Sequence, residues 1–152
     1  MEFFIIFIGG IIGIIGFALM FQVSHRQIFW AILGGALTFI FYLVSKPFGI
    51  FISNVVAGFV MMVYCEIIAR YRKAPVTVFL STALIILVPG GALYYTISNV
   101  LSKNTAGIID YGLSTAATCL GIMAGISVAT VLINTVFYFL AKRKKNKTED
   151  NI

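Results

Sequence analysis

The sequence is short of charge. Only 16 of its 152 residues are Asp, Glu, Lys or Arg, and one more is His. A soluble globular domain carries about 25% charged residues, so this composition excludes one. The few charges also cluster. They leave five runs free of charge and of His: 3–24, 27–45, 47–65, 74–102 and 111–141, together 120 residues. A transmembrane helix needs roughly 20 consecutive apolar residues, so each run is long enough for one crossing. The connections between runs are too short to build an extramembrane catalytic domain.

Cysteine is scarce too. Cys65 and Cys119 stand alone in apolar runs, with no CxxC pair and no Cys/His cluster. Both are expected to be small buried hydrophobes, and neither a disulfide framework nor a metal site has support. No Ser/His pair, paired Asp or ligand set falls within the runs. No catalytic residue, metal or cofactor is therefore assigned.

What is present is an all-α integral membrane protein. The expected architecture is five transmembrane helices at about 3–21, 28–44, 50–68, 76–101 and 115–141, followed by a basic cytoplasmic tail over 142–152. The chain begins Met1-Glu2-Phe3 with no basic leader, so the first run is read as a retained span. Lys and Arg outnumber Asp and Glu by 11 to 5, and five of the basic residues sit in 142–147. Placed directly after an apolar run, they suit an anchor on anionic lipid and exclude nucleic acid as the partner.

Five spans put nine basic residues on one side (Arg26, Arg70, Arg72, Lys73 and the five of the tail) and Lys46 and Lys103 on the other. Lys and Arg in short loops favour the cytoplasm. The N-terminus is therefore expected outside and the C-terminus inside. Reading 76–101 as a loop that returns to its own side would change the count to five against six and erase the bias.

Small residues recur at helical spacing in two spans: Gly9, Gly10, Gly13 and Gly16 in the first, and Ala117, Gly121, Gly125 and Ala129 in the fifth. Such ladders let helix backbones approach closely in lipid; the partner is either within the chain or in another subunit. Opposite the second ladder, Ser127, Thr130 and Asn134 form a polar stripe. It either lines a polar path or is satisfied by hydrogen bonds to neighbouring helices and its own backbone. Span four carries Pro89-Gly90-Gly91 near its middle, with Tyr94, Tyr95 and Ser98 following. Pro89 has no N–H, so the Ile85 carbonyl is expected to lose its helical partner. Broken helices at membrane depth are tolerated where protein or a water-filled cavity satisfies the backbone. A half-helix starting there offers free N–H groups to a carboxylate; a plain proline kink is the simpler reading. Glu66 and Arg70 are spaced as an ion pair at the inner end of span three, and no ionisable group lies deeper.

Two stretches carry a resemblance. One is Gly16-Phe17-Ala18-Leu19-Met20-Phe21-Gln22-Val23 with Arg26. The other is Ala69-Arg70-Tyr71-Arg72-Lys73-Ala74-Pro75 leading to Leu87-Val88-Pro89-Gly90 and Tyr94. Together they resemble the threonine/serine exporter family, in particular its small YjjB-like subunits, which correspond to the C-terminal membrane half of ThrE. The resemblance implies a plasma-membrane secondary transporter of small amino acids or related carboxylates, working by alternating access. It also implies a larger YjjP-like membrane subunit as partner. A homo-oligomer that transports alone and a non-transporting scaffold subunit are the rival readings. The substrate-path candidates are Pro89, Gly90, Gly91, Tyr94, Ser127, Thr130 and Asn134; Gly9, Gly13, Gly121 and Gly125 are the helix-packing candidates.

Overall fold

The computed structural model describes residues 2–21 and 24–149, with side chains for 8–21, 24, 27–139 and 142. Gln22 and Val23 of the first landmark and the end of the tail, 150–152, lie outside the described residues; so do the side chains of Arg26 and 143–147. Among the described residues every element is helical. The order is α1 (Glu2–Met20), α2 (His25–Ser45), a 3-10 turn (Lys46–Phe48), α3 (Ile50–Arg72), α4 (Val76–Leu84), a second 3-10 turn (Ile85–Leu87), α5 (Gly90–Leu101) and α6 (Thr105–Glu149).

Local chemistry sets the ends. Gly49 adopts φ +102°, a conformation that favours glycine, and starts α3. One turn on, the buried Ser53 hydroxyl donates to the carbonyls of Ser45 and Gly49, tying α3 to the end of α2. At the far end of α3, Lys73 is left-handed, and the Ala74 N–H reaches the Ala69 carbonyl at 3.0 Å. That six-residue closure is a Schellman stop, and Pro75 then prevents continuation. The same closure follows α5, with Lys103 left-handed and the Asn104 N–H on the Asn99 carbonyl. Asn104 next turns its Oδ1 to the Gly107 N–H and caps α6.

The core is a bundle of α1–α4 closed by α6. Ile14 of α1, Met61 and Cys65 of α3 and Phe79 of α4 are fully enclosed in it. Adjacent glycines in α2 serve two neighbours at once: a Cβ on Gly34 would strike the Tyr64 ring of α3, and one on Gly35 would strike Ile14 of α1. α3 and α6 run parallel and in close contact. A Cβ on Gly121 would lie 2.7 Å from the Phe51 carbonyl, one on Gly58 would lie 2.9 Å from the Ile122 carbonyl, and one on Gly125 would overlap the Val55 carbonyl. The ladder of span five therefore packs within the chain, with Ala129 fully buried. Gly9, Gly13 and Gly16 have nothing within 4 Å of an added Cβ, so only Gly10, against Ile86, is used inside the chain.

At the basic end of the bundle, Glu66 pairs with Arg70 on the next turn of α3. Arg70 also lies 4.0 Å over the Phe137 ring of α6. Arg72 and Tyr71 meet Trp30 of α2, whose carbonyl accepts the Tyr64 hydroxyl. Aromatic and basic residues of α2, α3 and α6 thus form one cluster.

Three points differ from the sequence reading. First, among the described residues three helices are long and apolar enough to cross a membrane: Gln27–Phe48, Ile50–Arg72 and Thr105–Phe139. A fourth is counted if the pair Val76–Leu87 and Gly90–Leu101, bent by 54°, is one span. Three to four spans are thus shown rather than five; α1 enters this count only through its described apolar part, Ile8–Met20, within the helix Glu2–Met20. Secondly, α6 is a single helix of 45 residues. It begins ten residues before the expected start and continues through the basic segment to Glu149, because Asn104 caps it earlier and Asp110 sits on an exposed face. Thirdly, Cys119 is exposed; only Cys65 is buried.

Candidate functional site

The break between α4 and α5 is built from two adjoining backbone devices. α4 tightens into the 3-10 turn Ile85–Leu87, whose closing bond runs from the Val88 N–H to the Ile85 carbonyl at 3.4 Å. The Ile85 carbonyl, which cannot be served by Pro89, is served by Val88 instead. Pro89 follows at φ −78°, ψ 54°, and the Gly90 N–H returns to the Val88 carbonyl at 2.8 Å. That geometry is an inverse γ-turn. The regular pattern resumes with the Leu93 N–H on the Pro89 carbonyl. None of the hydrogen bonds across the break uses the N–H groups of Gly91 and Ala92 or the carbonyls of Ile86 and Leu87. Two donors at a helix N-terminus and two acceptors just before it are left for other partners.

A cleft of about 310 Å³ opens at this point. Phe39 and Tyr42 of α2, Asn54 of α3, Thr118 of α6, the segment Ile86–Pro89 and Ala92 border it. The volume is at the small end of ligand pockets, which run from about 300 Å³. Among the described residues no charged side chain borders the cleft. Its position corrects one expectation. Pro89 is central along its own span, but its neighbours Tyr42 and Asn54 lie within a turn or so of the α2–α3 connection. The break therefore lies close to that end of the bundle, and α5 continues beyond it, packed principally on α6. Tyr95 stacks on Tyr111 with ring centroids 5.1 Å apart, and a Cβ on Gly107 would run into Asn99. The α5–α6 hairpin rises roughly 20 Å past the start of α3, at 1.5 Å per helical residue.

Of the candidates named from sequence, Pro89 borders the cleft, with Gly90 and Gly91 beside it on the exposed start of α5. Tyr94 is on α5 but 67% exposed, edge-on to Tyr95. The stripe on α6 is elsewhere. Ser127 and Asn134 are exposed, Thr130 is half-buried, and none borders the cleft. The hydroxyls of Ser127 and Thr130 donate to the carbonyls of Met123 and Ile126 one turn back. The stripe does face away from the Gly121–Gly125–Ala129 contact.

Sequence reasoning missed Tyr42, Asn54 and Thr118. A signal existed for one of them. Asn54, Gly58, Met61 and Cys65 recur at four, three and four residues along α3 and are all buried, a helical stripe in which one polar residue stands among small and apolar ones. Thr118 adjoins the Ala/Gly ladder and was hidden beside it.

A family model described as "Threonine/Serine exporter, ThrE" matches residues 6–145. No curated protein and no solved structure matches the chain.

Proposed function

The chain belongs to the threonine/serine exporter family, and from that premise we propose that it is one membrane half of an amino-acid exporter, working by alternating access with a larger YjjP-like subunit. The substrate site is the cleft at Pro89. The observation that carries this reading is the interrupted backbone: Gly91 and Ala92 have N–H groups uncommitted at the start of a 12-residue helix. Such donors suit a carboxylate. The described lining of the cleft, which is uncharged, favours a neutral amino acid over a small dicarboxylate, whose second charge would be desolvated without a partner.

In this reading the chain has five spans. α1 contributes the first, since its 19 residues extend about 28 Å, close to the hydrocarbon thickness of about 30 Å. The bent α4–α5 pair contributes the fourth, because a 54° bend keeps both halves advancing where a re-entrant loop needs a reversal. The N-terminus is outside and the C-terminus cytoplasmic, by the charge bias already counted. Gly9, Gly13 and Gly16, whose added Cβ would meet nothing within 4 Å among the described residues, provide a close-packing face for the partner subunit or for a second copy.

Replacing Gly90 tests the site. Nothing lies within 4 Å of a Cβ there, so Gly90→Leu is expected to fold normally while adding bulk directly after Pro89, which borders the cleft. Threonine efflux is expected to fall to background at unchanged expression. Unaltered efflux would refute the site and favour a scaffold role, in which Pro89 and Gly90 are freely replaceable. Flux measured on the purified chain alone, reconstituted in vesicles, separates the two-subunit arrangement from a self-sufficient homo-oligomer.

A further inference from the structure

We propose that Asn54, assisted by Thr118, is the subsite that receives the substrate's ammonium group. This rests on reading the cleft at Pro89 as the amino-acid site. Asn54 is 2% exposed, yet its side chain is only half satisfied. Its Nδ2 donates to the Ile50 carbonyl one turn back at 2.7 Å. Among the described residues no group donates to its Oδ1. Among the described residues no fully enclosed side-chain polar atom lacks a partner, so this Oδ1 is reachable from the cleft that Asn54 borders.

Thr118 is arranged in the same way. Its hydroxyl donates to the Ser114 carbonyl at 2.9 Å. A hydroxyl whose proton is committed presents only lone pairs elsewhere. Thr118 has therefore spent its only donor on its own helix and Asn54 one of its two amide N–H groups, and each still presents acceptor lone pairs. The start of α5 offers the N–H groups of Gly91 and Ala92, and the free carbonyls of Ile86 and Leu87 precede them. The cleft thus holds side-chain acceptors on α3 and α6 and backbone donors at the start of α5. A zwitterion uses both with its ammonium toward the Asn54 Oδ1 and its carboxylate toward the start of α5. Hydrogen bonds from a charged donor are about twice as strong as neutral ones, so two neutral acceptors suffice to hold the ammonium end.

Close packing fixes Asn54 in place. A Cβ on Gly121 would stand 2.9 Å from the Asn54 Cβ, which leaves the Asn54 side chain little room to turn. Gly121 is thus a positioning residue for the acceptor.

The test is transport of labelled threonine in membrane vesicles carrying the full chain, with KM and kcat measured for the wild type, Asn54→Leu and the milder Thr118→Val. Competition by threonine methyl ester, which keeps the ammonium, and by N-acetylthreonine, which lacks it, is measured alongside. Asn54→Leu is expected to raise KM about ten-fold or more at nearly unchanged kcat, and Thr118→Val a few-fold. The methyl ester should weaken in parallel with threonine, while N-acetylthreonine competes as it does against the wild type. A wild-type KM in both variants overturns the proposal. An equal loss for all three ligands also overturns it, because that is the signature of general distortion. If Gly90→Leu blocks efflux and Asn54→Leu does not alter KM, the ammonium assignment alone fails. If Gly90→Leu is silent, the cleft is not the site and both readings fall.

Discussion

Gly121→Ala probes the contact on which the bundle closes. The added Cβ would stand 2.7 Å from the Phe51 carbonyl and 2.9 Å from the Asn54 Cβ, where ordinary contact begins at 3.4 Å. Neither neighbour is the tip of a flexible side chain, so α3 and α6 must separate by about 0.7 Å to admit it. Overpacking of this kind costs about 1–3 kcal/mol. Against it stands a helix-propensity gain of about 1 kcal/mol for Ala over Gly. Gly13→Ala isolates the two effects, since it gains the propensity and meets nothing within 4 Å. Denaturant unfolding in detergent can be followed through Trp30, the only tryptophan, which sits between α2 and the end of α3. Gly13→Ala is expected to be as stable as the wild type or slightly more so, and Gly121→Ala less stable than Gly13→Ala by about 1–3 kcal/mol. Equal stability of the two variants would show that the ladder of α6 does not pack on α3 and would refute the argument.

Other perturbations separate the parts of the molecule. Pro89→Ala supplies the missing N–H to the Ile85 carbonyl and removes a ring that costs roughly 3 kcal/mol in a helix interior; the 54° bend should relax, seen as a longer α4–α5 spin-label distance, with efflux lost. A retained bend would assign the break to Gly90 and Gly91 instead. Arg70→Gln leaves the Glu66 side chain, 12% exposed, without its cation and removes the stack on Phe137. A loss of about 1–2 kcal/mol is expected. Glu66→Gln should cost less, because it leaves only the more exposed Arg70 unpaired, and the reverse order in an unfolding titration would count against the pair as described.

The sequence made some of this legible and not the rest, for physical reasons. The break was readable because Pro89 acts through its own covalent structure, whatever surrounds it. The ladder Gly121–Gly125 was readable as a contact but not as a contact with α3, because spacing along one helix says nothing about what lies against it. Asn54 was invisible as a site residue. One amide in an apolar run acquires meaning only from the register between α3, α6 and the break, which is a property of packing. The reach of α6 was lost for the opposite reason: Asn104 and Asp110 are polar and suggested a loop, whereas one caps the helix and the other sits on its exposed face. Likewise the middle of span four by residue count proved to be near one end of the bundle, since a bent helix and its straight neighbours do not share a ruler.

In the exporter proposed above, the off-centre cleft would have two doors of unequal thickness. Toward the α2–α3 turn, Asn54 is within the second turn of its helix. In the other direction lie Met61, Cys65 and Phe79, all fully enclosed, and then the clasp of Arg70 on Phe137 and Arg72 on Trp30. From Asn54 to Arg70 that barrier is about 24 Å of packed helix. In that proposal the thick door opens only if helices part along much of their length, and the thin one does not require this. A rate measured with ligand supplied at the thin door therefore reports occupancy of the cleft, whereas one measured from the basic end reports how often the plug comes apart.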